Sequence, residues 1–237
     1  MTEVENDVNG DPLGPLVAGW TPRPRPPREP MIGHYCSLVP LDRHHAPGLF
    51  EAFRHDTAGR VWTYLSVGPF AAQTEMEAWI ASIVPSQDPL FFAVIDHVSG
   101  QPVGLVSYLR IDANAGVVEV GWVTWSPLMQ KSVISTEAHY LMARRAFDEL
   151  GYRRYEWKCN DLNEPSMQAA RRLGFTYEGT FRQATIVKGR NRDTAWFSML
   201  DREWPAIKAA FEAWLAPQNF DADGRQLSRL EALRTGR

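Results

Sequence analysis

The chain has 237 residues, 44% of them apolar and 22% charged, with a net charge of −3. This is ordinary globular usage and enough chain for one sizeable core, but it offers no bulk attraction to nucleic acid or to an anionic membrane. No apolar run approaches the roughly 18 residues of a membrane span, and the N-terminus lacks a charged-then-apolar export pattern. The expected setting is therefore cytoplasmic, with neither nucleic acid nor membrane as partner.

The first 32 residues read as a flexible extension, acidic and then proline-rich through TPRPRPPREP, with Trp20 as the residue able to dock. A domain is expected over 33–215, followed by a polar, peripheral tail over 216–237. Within the domain, Tyr35, Ser37 and Val39 alternate as a first strand, and a helix over 44–54 starts after Asp42. An aromatic-rich loop, VWTYLSVGPF, leads to a helix over 73–84, where Met76, Trp79, Ile80 and Ile83 recur at helical spacing. Strands at 91–96, 103–111 and 117–125, separated by turn signals at Ser99-Gly100 and Asn114 to Gly116, form an antiparallel meander.

An amphipathic helix over 134–150 stops at Gly151. Then comes the most informative segment, YEWKCNDLNEPSMQAARRLGF at 155–175. Tyr155, Trp157 and Cys159 alternate with Glu156 and Lys158 as a strand, Asn163 suits a helix cap, Pro165 a first turn and Gly174 a stop. Strands at 175–187 and 193–200 are joined by KGRNRD, and a last helix covers 203–215. The only two cysteines, Cys36 and Cys159, sit in apolar runs and read as buried free thiols. The six histidines form no H-x-x-x-H pair, so no metal is expected. No serine has the G-x-S-x-G context of a hydrolase.

The strand, Asn-x-x-Ser helix and Leu-Gly-Phe exit of 155–175 resemble the GCN5-related N-acetyltransferase (GNAT) superfamily. Within it, the chain is similar to the branch that includes the ribosomal-protein N-terminal acetyltransferases. That likeness rests on W-x-Y-L-x-x-G-P-F at Trp62 to Phe70, S-P-x-x-Q at Ser126 to Gln130, T-E-A at Thr136 to Ala138, and K-G-R-x-R-D at Lys188 to Asp193. The resemblance covers roughly 33–200. It implies an α/β (α+β) fold with a mixed, mostly antiparallel central sheet flanked by helices. It also implies acetyl-CoA as co-substrate and direct acetyl transfer to a primary amine, either a protein N-terminus or a small amine. An amino-acid-like or aminoglycoside-like acceptor is the rival within this class, and a homodimer is left open. A GNAT-fold module that binds acyl-CoA or a partner protein without turnover is the alternative.

The superfamily places a glycine-containing loop before the helix at 134–150, where helix-start N–H groups receive a pyrophosphate. The corresponding residues are Gln130, Lys131, Ser132, Val133, Ile134, Ser135 and Thr136. Val133 stands in place of the first glycine, and a β-branched residue resists positive φ, so weaker binding or an altered loop is expected there, offset by Lys131 and Ser132. Amine chemistry needs a base, an oxyanion donor and a proton for the leaving thiolate. By resemblance Glu119 is the base and a backbone N–H near Thr124 and Trp125 the oxyanion donor. The usual tyrosine position is Ala170, so Ser166 is expected as the acid, with Tyr177 next in line. Asn163 is expected to orient the pantetheine amides, and Trp62, Tyr64, Phe70 and Trp122 to line the acceptor cleft.

Overall fold

The apolar alternation that begins at Cys36 is realised as one sheet in a computed structural model that describes residues 5–235. The strands are β1 (Met31–Ile32), β2 (Cys36–Pro40), β3 (Leu90–Asp96), β4 (Pro102–Asp112), β5 (Val117–Trp125), β6 (Arg154–Asn160), β7 (Thr176–Val187) and β8 (Arg190–Leu200). The helices are α1 (Ala46–Phe53), α2 (Gln73–Ile83), α3 (Val133–Arg144), α4 (Glu164–Leu173), α5 (Trp204–Leu215) and α6 (Leu230–Thr235). The sheet order is β1-β2-β3-β4-β5-β6-β8-β7. All neighbours are antiparallel except β5 and β6.

That parallel pair sets the site. Its rungs run from Val117 opposite Arg154 to Val120 opposite Trp157 and then stop, although β5 continues to Trp125 and β6 to Asn160. In the same stretch the β4–β5 register shifts, and Trp122 takes φ +50°. A bulge of this kind re-aims a side chain and leaves part of the strand unpaired.

Each face of the sheet has its own apolar cluster. On one, Tyr108, Val120, Tyr155 and Phe197 pack with Leu141 and Met142 of α3 and Phe211 of α5. On the other, Phe91, Ala93 and Leu105 pack with Leu49 and Phe53 of α1 and Met76 and Ile80 of α2. Burial of each such side chain contributes about 1.5–3 kcal/mol.

Local signals explain the helix ends. Asp42 accepts the N–H of His44 and donates its own N–H to His45 Nδ1, opening a short turn that leads into α1. Gly174 ends α4 at φ +104°. The helix expected to reach residue 150 instead ends at Arg144 and continues as a π turn over Arg145–Glu149, closed by Leu150 N–H to the Arg145 carbonyl. Arg145 is buried there and donates to the carbonyls of Glu29 and Pro30.

Contacts with the domain extend outward past both expected boundaries. The second half of the N-terminal extension is laid along the domain. Trp20 Nε1 donates to Asn114 O, and Arg28 donates to the carbonyls of Leu41 and Val84. Met31–Ile32 adds an edge strand to β2. Proline-rich backbone has free carbonyls, and the interspersed arginines supply the long donors that hold it. The tail is likewise not merely peripheral: Leu230 is buried against the core, and Asn219 is buried with its amide donating to Trp214 O and Ser228 O. The outer ends of both segments, 1–4 and 236–237, lie outside the described residues.

Candidate active-site cleft

Where β5 and β6 cease to pair, a cleft of about 630 Å³ opens, walled by both strands, the β7–β8 hairpin and the loop between α1 and α2. Its floor is charged. Glu119 is buried, and its Oε2 lies 2.8 Å from Lys158 Nζ and 3.6 Å from Arg110 Nε. Lys158 is equally buried, lies 2.7 Å from Glu156 Oε2, and sits 3.6 Å from the centre of the Trp196 ring. Burial raises the Glu119 pKa above the ordinary glutamate value, while Lys158 and then Arg110 oppose the rise. Burial would also raise that of Glu156, but contacts with Lys158 and Arg154 outweigh it, and the net shift is downward. The same buried charge cluster thus moves the two carboxyls in opposite directions.

This grouping follows from register. The parallel pairing puts Glu119 directly beside Glu156, and the next same-face residue on β6 is Lys158. In the sequence Lys158 is only a polar position alternating with the aromatics, and its one signal is its place on the face opposite Tyr155, Trp157 and Cys159.

The loop before α3 is organised by its own side chains. Gln130 Nε2 donates to Trp125 O, Ser132 Oγ to Met129 O, and Ser135 Oγ to Ser132 O. Ser132 is the N-cap residue but makes no side-chain cap bond, which leaves the first N–H groups of α3, from Val133 through Ser135, without a side-chain partner. Such a terminus suits a pyrophosphate. The expected conflict at Val133 is corrected: Val133 is the first helical residue, and the left-handed conformation falls on exposed Lys131, at φ +56°. Ile134 offers its carbonyl to Cys36 Sγ. Thr136 is buried and its hydroxyl accepts from Arg172, so its side chain faces away from the loop mouth's chemistry. Thr124 is buried with its hydroxyl donating to Trp122 O, which leaves only its backbone for an oxyanion role, and Trp125 packs edge-on against His139. In the adjoining T-E-A motif, Glu137 accepts the N–H groups of His34, Tyr35 and Cys36, each at 2.7 Å, and thereby anchors the start of β2 to α3.

On the β6 side, Asn163 caps α4, its Oδ1 accepting from Ser166 N–H at 3.3 Å. Ser166 Oγ accepts from Trp157 Nε1 at 3.1 Å, so the indole orients the hydroxyl, which has the Cys159 thiol as a second neighbour; all three residues line the cleft. Ala170 is wholly buried, so that turn of α4 presents no hydroxyl to the cleft. Tyr177, the fallback hydroxyl, is instead paired with Thr180 on β7 and does not line the cleft. Cys159 does line it, as a buried thiol whose pKa burial raises.

The expected aromatic wall divides. Tyr64 and Trp122 line the cleft, and the Tyr64 hydroxyl donates to Leu162 O, tying the loop between α1 and α2 to the turn before α4. Trp62 and Phe70 do not line it; Trp62 is buried and packs edge-on against Phe53, Phe70 and Trp79. Aromatic content alone does not distinguish a wall from the core beneath it. Lys188 at the β7–β8 turn donates to Trp62 O and Gly68 O, which gives the first residue of the K-G-R-x-R-D motif its role as a clamp on this loop. Among the described residues, no group of three or more His, Cys, Asp or Glu is placed to hold a metal, and no helix is long and apolar enough to cross a membrane.

A family model for the acetyltransferase (GNAT) domain matches residues 37–176. A GCN5-related N-acetyltransferase from Brucella melitensis is 49% identical, with TM-score 0.90 over 92% of this chain and 99% of that one. A GNAT-family structure from Chromobacterium violaceum is 42% identical, with TM-score 0.76 over 82% of this chain and 97% of that one. YdaF of Bacillus subtilis, described as a candidate ribosomal N-acetyltransferase, is 29% identical over 46% of this chain; the matched stretch spans 59% of YdaF.

Proposed function

Because the chain belongs to the GNAT acetyltransferase family, we propose that it transfers acetyl from acetyl-CoA to a primary amine by direct attack. The observation that carries this reading is the position of Glu119 on the cleft floor, with Ser166 and Asn163 on the wall across the strand gap. Glu119, with its pKa raised by burial, takes the ammonium proton through water, and the freed amine attacks the thioester carbonyl. The resulting oxyanion is met by a main-chain N–H of β5 near Thr124 and Trp125. Collapse expels the thiolate, which the Ser166 hydroxyl protonates directly or by relay from water. Gln130 and Ser132 shape the loop that offers the helix N–H groups of Val133, Ile134 and Ser135 to the pyrophosphate, with Lys131 adding a cation, and Asn163 orients the pantetheine arm. Tyr64 and Trp122 border the acceptor, a protein N-terminus or a small amine; the name of the Bacillus subtilis relative favours the former.

Release of free CoA thiol over an amine panel tests the reading. Thiol release that depends on an amine is the expected result. Acetyl-CoA binding without release for any amine would leave a non-catalytic acyl-CoA-binding module.

A further inference from the structure

Charge bookkeeping along the cleft isolates one residue. On the floor, cations and carboxylates alternate through Arg110, Glu119, Lys158, Glu156, Arg154 and Glu178, each touching the next. Three positive and three negative groups balance there. Arg192 stands outside this chain. It follows Lys188 on the returning strand β8, on the same face as Thr194 and Trp196, and it lines the cleft with them. Its Nε is buried and has no hydrogen-bond partner, and no carboxylate lies within ion-pair distance among the described residues. The adjacent acid, Asp193, is on the opposite face of β8, where its Oδ1 accepts from Gln183 N–H at 2.6 Å and Asn191 Nδ2 at 2.8 Å. A buried guanidinium N–H without an acceptor is costly, and a planar fork of donors matches a carboxylate.

The charged residues that line the cleft are Arg110, Lys158, Arg192 and Glu119, and with the floor's charges balanced Arg192 is the one cation among them without a carboxylate partner. An acceptor carrying only its ammonium would add a second unbalanced positive charge beside it. One that also carries an anion would not, and it would supply the acceptor that Arg192 lacks. Building on the acetyltransferase reading, we propose that the acceptor is a primary amine bearing a carboxylate near its amino group, held by Arg192. The carboxylate belongs either to a free amino acid or to an acidic residue next to a peptide N-terminus.

Calorimetry on the full chain with acetylated products tests this without requiring turnover. The probes are two acid–amide pairs: N-acetylalanine with N-acetylalaninamide, and N-acetylalanyl-aspartyl amide with N-acetylalanyl-asparaginyl amide. In one pair the acid should bind about tenfold more tightly than its amide, a difference that Arg192→Gln should abolish. Preference in the first pair assigns a free amino acid, and in the second an acidic peptide N-terminus. Equal or undetectable affinity within both pairs, or a preference that survives Arg192→Gln, overturns the proposal. So does a loss of acetyl-CoA affinity in Arg192→Gln, which would place the guanidinium on the co-substrate. An acid preference without thiol release would remove the transfer reading while leaving the anion site in place.

Discussion

On one side of the gap between β5 and β6, chemistry is assigned to ionised side chains buried in the sheet, Glu119 and Lys158 with Glu156 behind them. On the other side, at 130–136 and at the Asn163 turn, it is assigned to main-chain N–H groups and neutral hydroxyls. The floor depends on which residues occupy which rung, because an unpaired charge in low dielectric is costly. The loop depends on backbone direction, which many side chains permit. The two regions should therefore answer mutation on different scales.

Removing the cation at the floor is the largest expected perturbation. Lys158→Met leaves Glu119 and Glu156 side by side with nothing between them, and breaking a buried pair costs about 3–5 kcal/mol. Thermal unfolding measures the loss. The pH dependence has a definite sign. Burial raises the Glu119 pKa and Lys158 opposes that rise, so the rising limb of kcat/KM should lie above the ordinary glutamate range and move to still higher pH in the variant. Because folding favours the protonated carboxyl, this group's stabilising contribution is present below its unfolded pKa and lost as pH rises through its folded one. The variant's stability deficit should therefore shrink on acidification. A deficit that is flat with pH, or a limb that stays put, would uncouple Lys158 from Glu119.

Glu119→Gln keeps the shape and removes the base. Turnover should fall by about 10²–10⁴-fold with acetyl-CoA affinity nearly intact. A loss below about threefold would move the base elsewhere. Asp56, a carboxylate on the loop between α1 and α2, would not replace it, since it already accepts the N–H groups of Arg60 and Val61. Ser166 bridges the two regions, a neutral hydroxyl placed by an indole. Ser166→Ala should cut kcat about tenfold with little change in co-substrate binding. An unchanged kcat would return the proton to water, since Tyr177 is turned away.

The same contrast explains what could be read from sequence. Signals confined to a few neighbouring residues are well marked: the cap at Asp42, Asn163 and Gly174 around α4, and the turn at Lys188-Gly189. So is the meander of β3 to β5, whose strand limits fall within a residue of those expected. Cross-strand facts are not marked. Nothing near Lys158 in the chain reports that Glu119 is its neighbour, because a parallel register brings them together across more than thirty residues. Trp62 and Phe70 share the composition of Tyr64 and Trp122, and even contact with α2 does not sort them: Trp79 touches Trp62, Phe70 and Trp122 alike, and of these three Trp122 alone also lines the cleft. Leu230 does not stand out in a polar tail, because a single buried anchor has no periodicity.

The loop should show smaller effects. Lys131→Glu reverses an exposed charge at a helix start, where such interactions are worth about 0.3–1 kcal/mol each, so acetyl-CoA affinity should fall only about three- to tenfold. Undetectable acetyl-CoA binding to the unmutated chain would reject the site altogether.

The smallest effect is the most pointed. Restoring a glycine at 133 would help binding if valine there were forced into a conformation that only glycine tolerates. Val133 is instead the first residue of α3, behind an N-cap Ser132 at φ −104°, and the residue in the left-handed region is Lys131. Val133→Gly therefore removes no strain, and it adds backbone entropy to a helix end, a cost of up to about 0.5–1 kcal/mol. Acetyl-CoA affinity should change by less than about threefold, which is within that cost, and the melting point should drop slightly. A gain of tenfold or more in affinity would mean that the valine methyls, rather than its backbone, crowd the phosphate. In that case the loop, like the floor, would be governed by side-chain identity, and the contrast between the two walls would fail.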